Sequence, residues 1–181
     1  VPNPSETLLS QRARGAGGSV VFCTLQGSRP ILCDLQALAA KSFYSVPKRT
    51  VGGMDSSRVA LLLAVMEKRA GKKLFDQDVY INVAGGLALS DPAADLAVCV
   101  AVASSLMGFA LSPSLSVMGE VGLCGEVRPV SQAERRVAEC VRLGFTEILL
   151  PKQNMKSIKP IEGVRLTGVD TLMQALAVVT D

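Results

Sequence analysis

Residues 82–106, NVAGGLALSDPAADLAVCVAVASSL, decide the fold. A β-rich lead-in, DVYINVA at 78–84, breaks at Gly85-Gly86, and Asp91-Pro92 then opens a helix. Aspartate suits the N-cap, because its carboxylate accepts a free backbone N–H. Proline suits the first helical position, where its missing N–H costs nothing. The body, ADLAVCVAVASSL, is apolar nearly all round, which predicts a central helix buried on every side. Its apolar run over 96–106 is too short to cross a membrane and holds two serines.

Outward from this core, 19–25 (SVVFCTL) and 29–38 (RPILCDLQAL) flank the turn Gln26-Gly27-Ser28 and predict a β-hairpin. Residues 41–54 read as a basic loop. Asp55 is the expected cap of a helix whose last turn holds Lys68 and Arg69 and which Gly71 stops. Further on, 116–123 and 125–130 read as a strand pair, and 132–143 as an amphipathic helix closed by Gly144. A strand at 147–150, a short turn or helix at 152–158, a strand at 164–167 and a capped helix at 170–178 complete the chain. Hairpins mixed with crossovers predict an α/β (α+β) domain with a mixed sheet and packed helices. Residues 1–18, with Pro2, Pro4 and a glycine-rich end, read as a linker arm, and residues 19–181 as the folded domain. The chain does not begin with Met, so a piece of a longer protein is expected.

The 181 residues include no histidine, which excludes a Ser-His-Asp triad, a Cys-His dyad and any His-ligated metal. The five cysteines form no CxxC and match no zinc spacing; buried free thiols in a reducing compartment are expected. The net charge of +3 is unevenly spread. Residues 41–73 carry eight basic side chains against two acidic, 74–127 carry six acids and no Lys or Arg, and 128–165 carry eight basic against four acidic. Brought together, the two basic segments would form a cationic face for a polyanion.

Three stretches, residues 82–106, GEVGLCGEVRPVSQAERRVAECVRLGF (119–145) and EILLPKQNMKSI (147–158), resemble the proteolytic domain of Lon proteases. The phrases VPNPSETLLSQR, GSRPILCDLQAL and SSRVALLLAVMEKRAG make the likeness closer still to the Lon-like C-terminal domain of the RadA family of bacterial DNA-repair proteins. The resemblance implies a two-layer fold of the Lon proteolytic type. It also implies where a Ser-Lys dyad would stand. The family's Pro-Ser-Ala-Gly segment is matched by Pro92-Ala93-Ala94-Asp95, and the family's lysine position falls on Glu134. Alanine has no nucleophilic atom, and glutamate cannot replace a neutral amine. Arg135 and Arg136, beside Glu134, stay protonated and cannot serve as a base.

No Walker A motif is present, so no P-loop ATPase site is expected here. The likeness implies that ATP, Mg and Zn belong to upstream domains of a longer protein, and that no cofactor or metal belongs to this chain. A phosphate loop of the kind found in GHMP kinases, which share this general fold, is opposed by Asp91 and Asp95 at the helix start. The expectation is a catalytically inert Lon-like domain serving as a hexameric ring scaffold and DNA-contact surface in the cytoplasm. Its DNA partner, single- or double-stranded, would be held without sequence preference by Lys48, Arg49, Arg58 and Lys68, with Lys41 and Arg128 in support. The seven aromatics sit mostly in apolar contexts, so base stacking is expected to be minor. The alternatives are a pure oligomerisation module, using the hairpin 19–38 or the helix 170–178, and an active Ser-Lys peptidase.

Overall fold

The structure, a computed structural model, describes residues 17–180. The expected linker arm therefore lies outside the described residues except for its last two glycines. Gly18 is tied in: its N–H donates to Ser104 Oγ at 2.9 Å, and its carbonyl accepts from Ala37 N at 2.8 Å.

The hairpin forms as expected from β1 (Ser19–Gln26) and β2 (Arg29–Lys41), paired antiparallel from Ser19↔Gln36 to Gln26↔Arg29. The far half of β2 pairs antiparallel with β4 (Gln77–Val83), and β4 pairs in parallel with β3 (Arg49–Gly52). On the other side, β5 (Leu115–Val117), β8 (Glu147–Pro151) and β9 (Arg165–Val169) run parallel to β1, giving one seven-stranded mixed sheet in the order β3-β4-β2-β1-β5-β8-β9.

Four helices pack around this sheet. Helix α1 (Ser56–Ala70) starts at Asp55, whose carboxylate accepts Ser57 N at 3.1 Å, and stops at Gly71 in the left-handed region (φ 65°). Helix α2 (Asp95–Met107) follows a 3-10 turn, Pro92–Ala94, capped by Asp91. All of α2 from Asp95 to Ser104 is buried, as its all-round apolar sequence predicts. Helix α3 (Ala133–Arg142) and helix α4 (Leu172–Thr180) complete the set. Thr171 Oγ1 accepts Gln174 N at 3.1 Å, and the Gln174 side chain returns a bond to Asp170 N at 2.8 Å, closing the start of α4.

Two local expectations change. The loop 41–54 contains β3, held by non-local pairing to β4 rather than by its own propensity. The expected strand over 116–123 breaks after Val117. Gly119 turns the chain against α2, donating to Ala93 O at 2.9 Å while its carbonyl accepts Leu96 N at 2.9 Å. A Cβ there would stand 3.0 Å from Val127 and 3.1 Å from Leu96, so any larger residue would push these side chains aside by a few tenths of an ångström. Beyond it, β6 (Glu120–Val121) and β7 (Val127–Arg128) form a separate small hairpin.

Candidate functional site: a closed catalytic turn and a basic, aromatic sheet edge

The turn at Pro92–Ala94 lies beside a cleft of about 730 Å³ whose walls include Met54, Asp55, Leu89, Pro92, Asp95 and Glu120. Ala93 is buried in this turn, its N–H given to Asp91 Oδ1 at 3.0 Å. Glu134 is exposed in the first turn of α3. The side chain that reaches the turn from α3 is Arg136, only 1% exposed. Its Nη1 donates to Asp91 Oδ2 at 2.6 Å and to Cys23 O at 2.8 Å, and its Nε donates to Ser131 O at 2.8 Å. The guanidinium also lies 5.9 Å from the centre of the Phe22 ring.

A second buried pair closes the other flank. Asp95, also 1% exposed, stands at the fourth position of the segment that matches Pro-Ser-Ala-Gly. Arg58 grips it with two donors, Nε to Oδ1 at 3.0 Å and Nη2 to Oδ2, and also donates to Val121 O at 3.0 Å. Val121 N donates to Asp95 Oδ2 at 3.0 Å. Both carboxylates at the helix start are thus neutralised by arginines that are fixed cations. Ala93 carries no nucleophile and Glu134 no amine, and on each side of the turn an arginine is paired with a carboxylate.

Of the six basic residues predicted to contact DNA, the fold brings three together. Lys41 pairs in register with Gln77 at the start of β4, Arg49 pairs with Val79, and Lys48 donates its backbone N–H to Asp78 Oδ1 at 2.7 Å. The Arg49 guanidinium is held by the carbonyl of Leu74, at 3.0 Å, and by that of Gln77. Neutral carbonyls position this group without cancelling its charge. Lys68 is exposed on a different element, the last turn of α1. Arg58 belongs to the cleft, where Asp95 compensates its charge. Arg128 lies exposed on β7 with both donors on Glu126, at 3.3 and 3.2 Å.

The expectation for the aromatics is corrected. Phe43, Tyr44 and Phe75 are 95%, 56% and 66% exposed, and Tyr80 is exposed as well. The backbone bond from Ser42 N to Asp76 O, at 2.8 Å, sets Phe43 and Tyr44 beside the segment carrying Phe75. The Lys48 ammonium lies 4.1 Å from the centre of the Tyr44 ring. Lys72 and Lys73 belong to the same approach to β4. These aromatics escape a linear reading because FYSV at 43–46 looks apolar, and only the fold turns it outward. Arg136 did leave a signal. It shares a helical stripe with Ala133, Val137 and Cys140, where an exposed arginine has no place.

Four cysteines, Cys23, Cys33, Cys99 and Cys140, are buried free thiols, and Cys124 is exposed. Burial, with Asp34 and Asp91 nearby, pushes the Cys33 thiol up to about 12, and burial beside Asp95 pushes Cys99 up as well. Among the described residues no helix is long and apolar enough to cross a membrane.

The fold is that of a domain of the Lon proteolytic class. The chain belongs to the family of the Lon protease (S16) C-terminal proteolytic domain, whose profile matches residues 55–176. Its similarity is to proteins named DNA repair protein RadA. The one from Streptococcus pyogenes serotype M3 is 44% identical over 99% of this chain and 40% of its own length. Those from Halalkalibacterium halodurans and Bacillus subtilis are each 43% identical, over 98% and 97% of this chain and 39% and 38% of theirs. The chain thus spans about two fifths of the length of these curated relatives.

Proposed function

We propose that this chain is a non-proteolytic Lon-type domain that serves a RadA-type DNA repair and recombination motor as a hexameric ring scaffold and a sequence-independent DNA contact. The observation that carries the DNA contact is the clustering of Lys41, Lys48 and Arg49 at the start of β4, joined by Lys72 and Lys73. Loss of proteolysis is supported by Ala93 and Glu134 and by the two arginine–aspartate pairs that occupy the turn. ATP, Mg and Zn would belong to other parts of the longer relatives, which work in branch migration under this proposal, in the cytoplasm.

The test is a titration with duplex DNA at two salt concentrations. Binding that weakens steeply with salt is expected, because neutralising phosphates releases counterions. Near-zero binding at low salt removes the DNA contact and leaves assembly alone. Assembly has its own support in Met173 and Val178, exposed apolar residues of α4 suited to one patch of a head-to-tail ring contact. Sedimentation of the chain as a strict monomer at high concentration would count against an autonomous ring. A serine-directed covalent probe should leave the protein unlabelled.

A further inference from the structure

We propose that the edge formed by Phe43, Tyr44 and Phe75 takes single-stranded nucleic acid, with unpaired bases stacking on these rings while the lysines around them hold the phosphates. This rests on the DNA contact proposed above and names the kind of strand it receives. Three large aromatics clustered in water are unusual, since apolar surface is normally driven out of water on folding. Here they alternate with charge: Lys41, Lys48, Arg49, Lys72 and Lys73 stand against only Asp76 and Asp78. Asp78 is buried and turned onto the Lys48 amide.

That composition disfavours a second copy of the chain as the cover. Protein interfaces, head-to-tail ring contacts included, are depleted in lysine at their centres. The adjoining edge strand, β3, is four residues long and begins with Arg49, so it is a poor template for strand addition. Interleaved cations and rings match a strand whose backbone is anionic and whose bases present flat faces. In a duplex those faces are hidden, and only the phosphates remain available. The Lys48 ammonium over Tyr44 preorients one ring by cation–π attraction.

The chain has no tryptophan, so its intrinsic emission comes from Tyr44 and Tyr80, both exposed. A short deoxythymidine strand is titrated against the 181-residue chain at low salt, beside its duplex with deoxyadenosine. Binding is followed by anisotropy of the labelled DNA and by tyrosine emission. The single strand should quench the emission and the duplex should not. Phe43→Ala and Phe75→Ala should each weaken single-strand binding about tenfold and leave duplex binding unchanged, whereas Lys48→Ala should weaken both. Being exposed, the two phenylalanines can be truncated without unfolding the domain, which circular dichroism would verify. If Lys48→Ala weakens both forms while neither phenylalanine matters, stacking is overturned and the electrostatic contact stands. If neither nucleic acid binds, the contact itself fails and takes this proposal with it. If Phe43→Ala shifts sedimentation and leaves affinity untouched, a second copy covers the rings and the proposal is overturned.

Discussion

Arg136 is the side chain on which the turn at Pro92–Ala94 depends most. It is buried, and its charge is answered by one carboxylate, Asp91. Removing one member of such a pair strands the other in low dielectric, so Arg136→Ala should cost about 3–5 kcal/mol, read as a lower urea midpoint. The thiols give a second prediction. Cys33 and Cys99 are held protonated in the fold, whereas in the unfolded chain they ionise near their ordinary values. Above about pH 8.5 the unfolded state therefore binds fewer protons, and stability should fall as pH rises toward 12. Denaturant midpoints that stay flat from pH 8 to 11 would contradict this. A thiol reagent should meet only Cys124 in the native protein and all five cysteines after unfolding.

Helix α3 carries a strain that the other elements lack. Gln132, at its N-cap, is the one non-glycine with positive φ (52°) among the described residues, and its side chain makes no cap bond. The left-handed conformation costs an L-residue about 1–2 kcal/mol, only partly offset by glycine's larger entropy loss. Gln132→Gly should therefore stabilise the domain by about 0.5–1 kcal/mol, whereas Asp55→Ala, which strips the cap of α1, should destabilise it by about 1 kcal/mol. Thermal unfolding of both variants reads the two signs. Caps and periodicity are local signals, which is why Asp55, Asp91, Gly71 and the buried face of α2 could be located from the letters alone. The four residues of β3 could not, whereas the strand pair read over 116–123 and 125–130 is present but shortened to the two-residue strands β6 and β7. The pairing of β3 is long-range, and RTVG beside Gly53 has too little alternation to mark a strand. The site divides in the same way. The vacated dyad positions follow from motif alignment, but the neighbours that close the turn and the aromatics that join the lysines meet only in three dimensions.

For the molecule as a whole, a net charge of +3 conceals a separation that the fold preserves only in part. Lys41, Lys48 and Arg49 converge on one sheet edge. Arg58, Arg136 and Arg142 are each matched with a carboxylate elsewhere in the protein. Replacing an exposed edge lysine such as Lys41 should therefore shallow the salt dependence of DNA binding by about one phosphate's worth, and Arg142→Ala should leave it unchanged. A slope equally sensitive to both would mean that the bound surface is diffuse. The Arg136–Asp91 pair also bears on both stability and hydrolysis. Domains keep only about 5–15 kcal/mol of net stability, and removing one partner of the buried Arg136–Asp91 pair would consume a large share of that margin. A serine placed at 93 would face Arg136, held on Asp91, and not Glu134, which is exposed on the first turn of α3. Under the proposed function, the alanine at 93 is thus one of two barriers to hydrolysis, the other being a fixed cation where a neutral amine would have to stand.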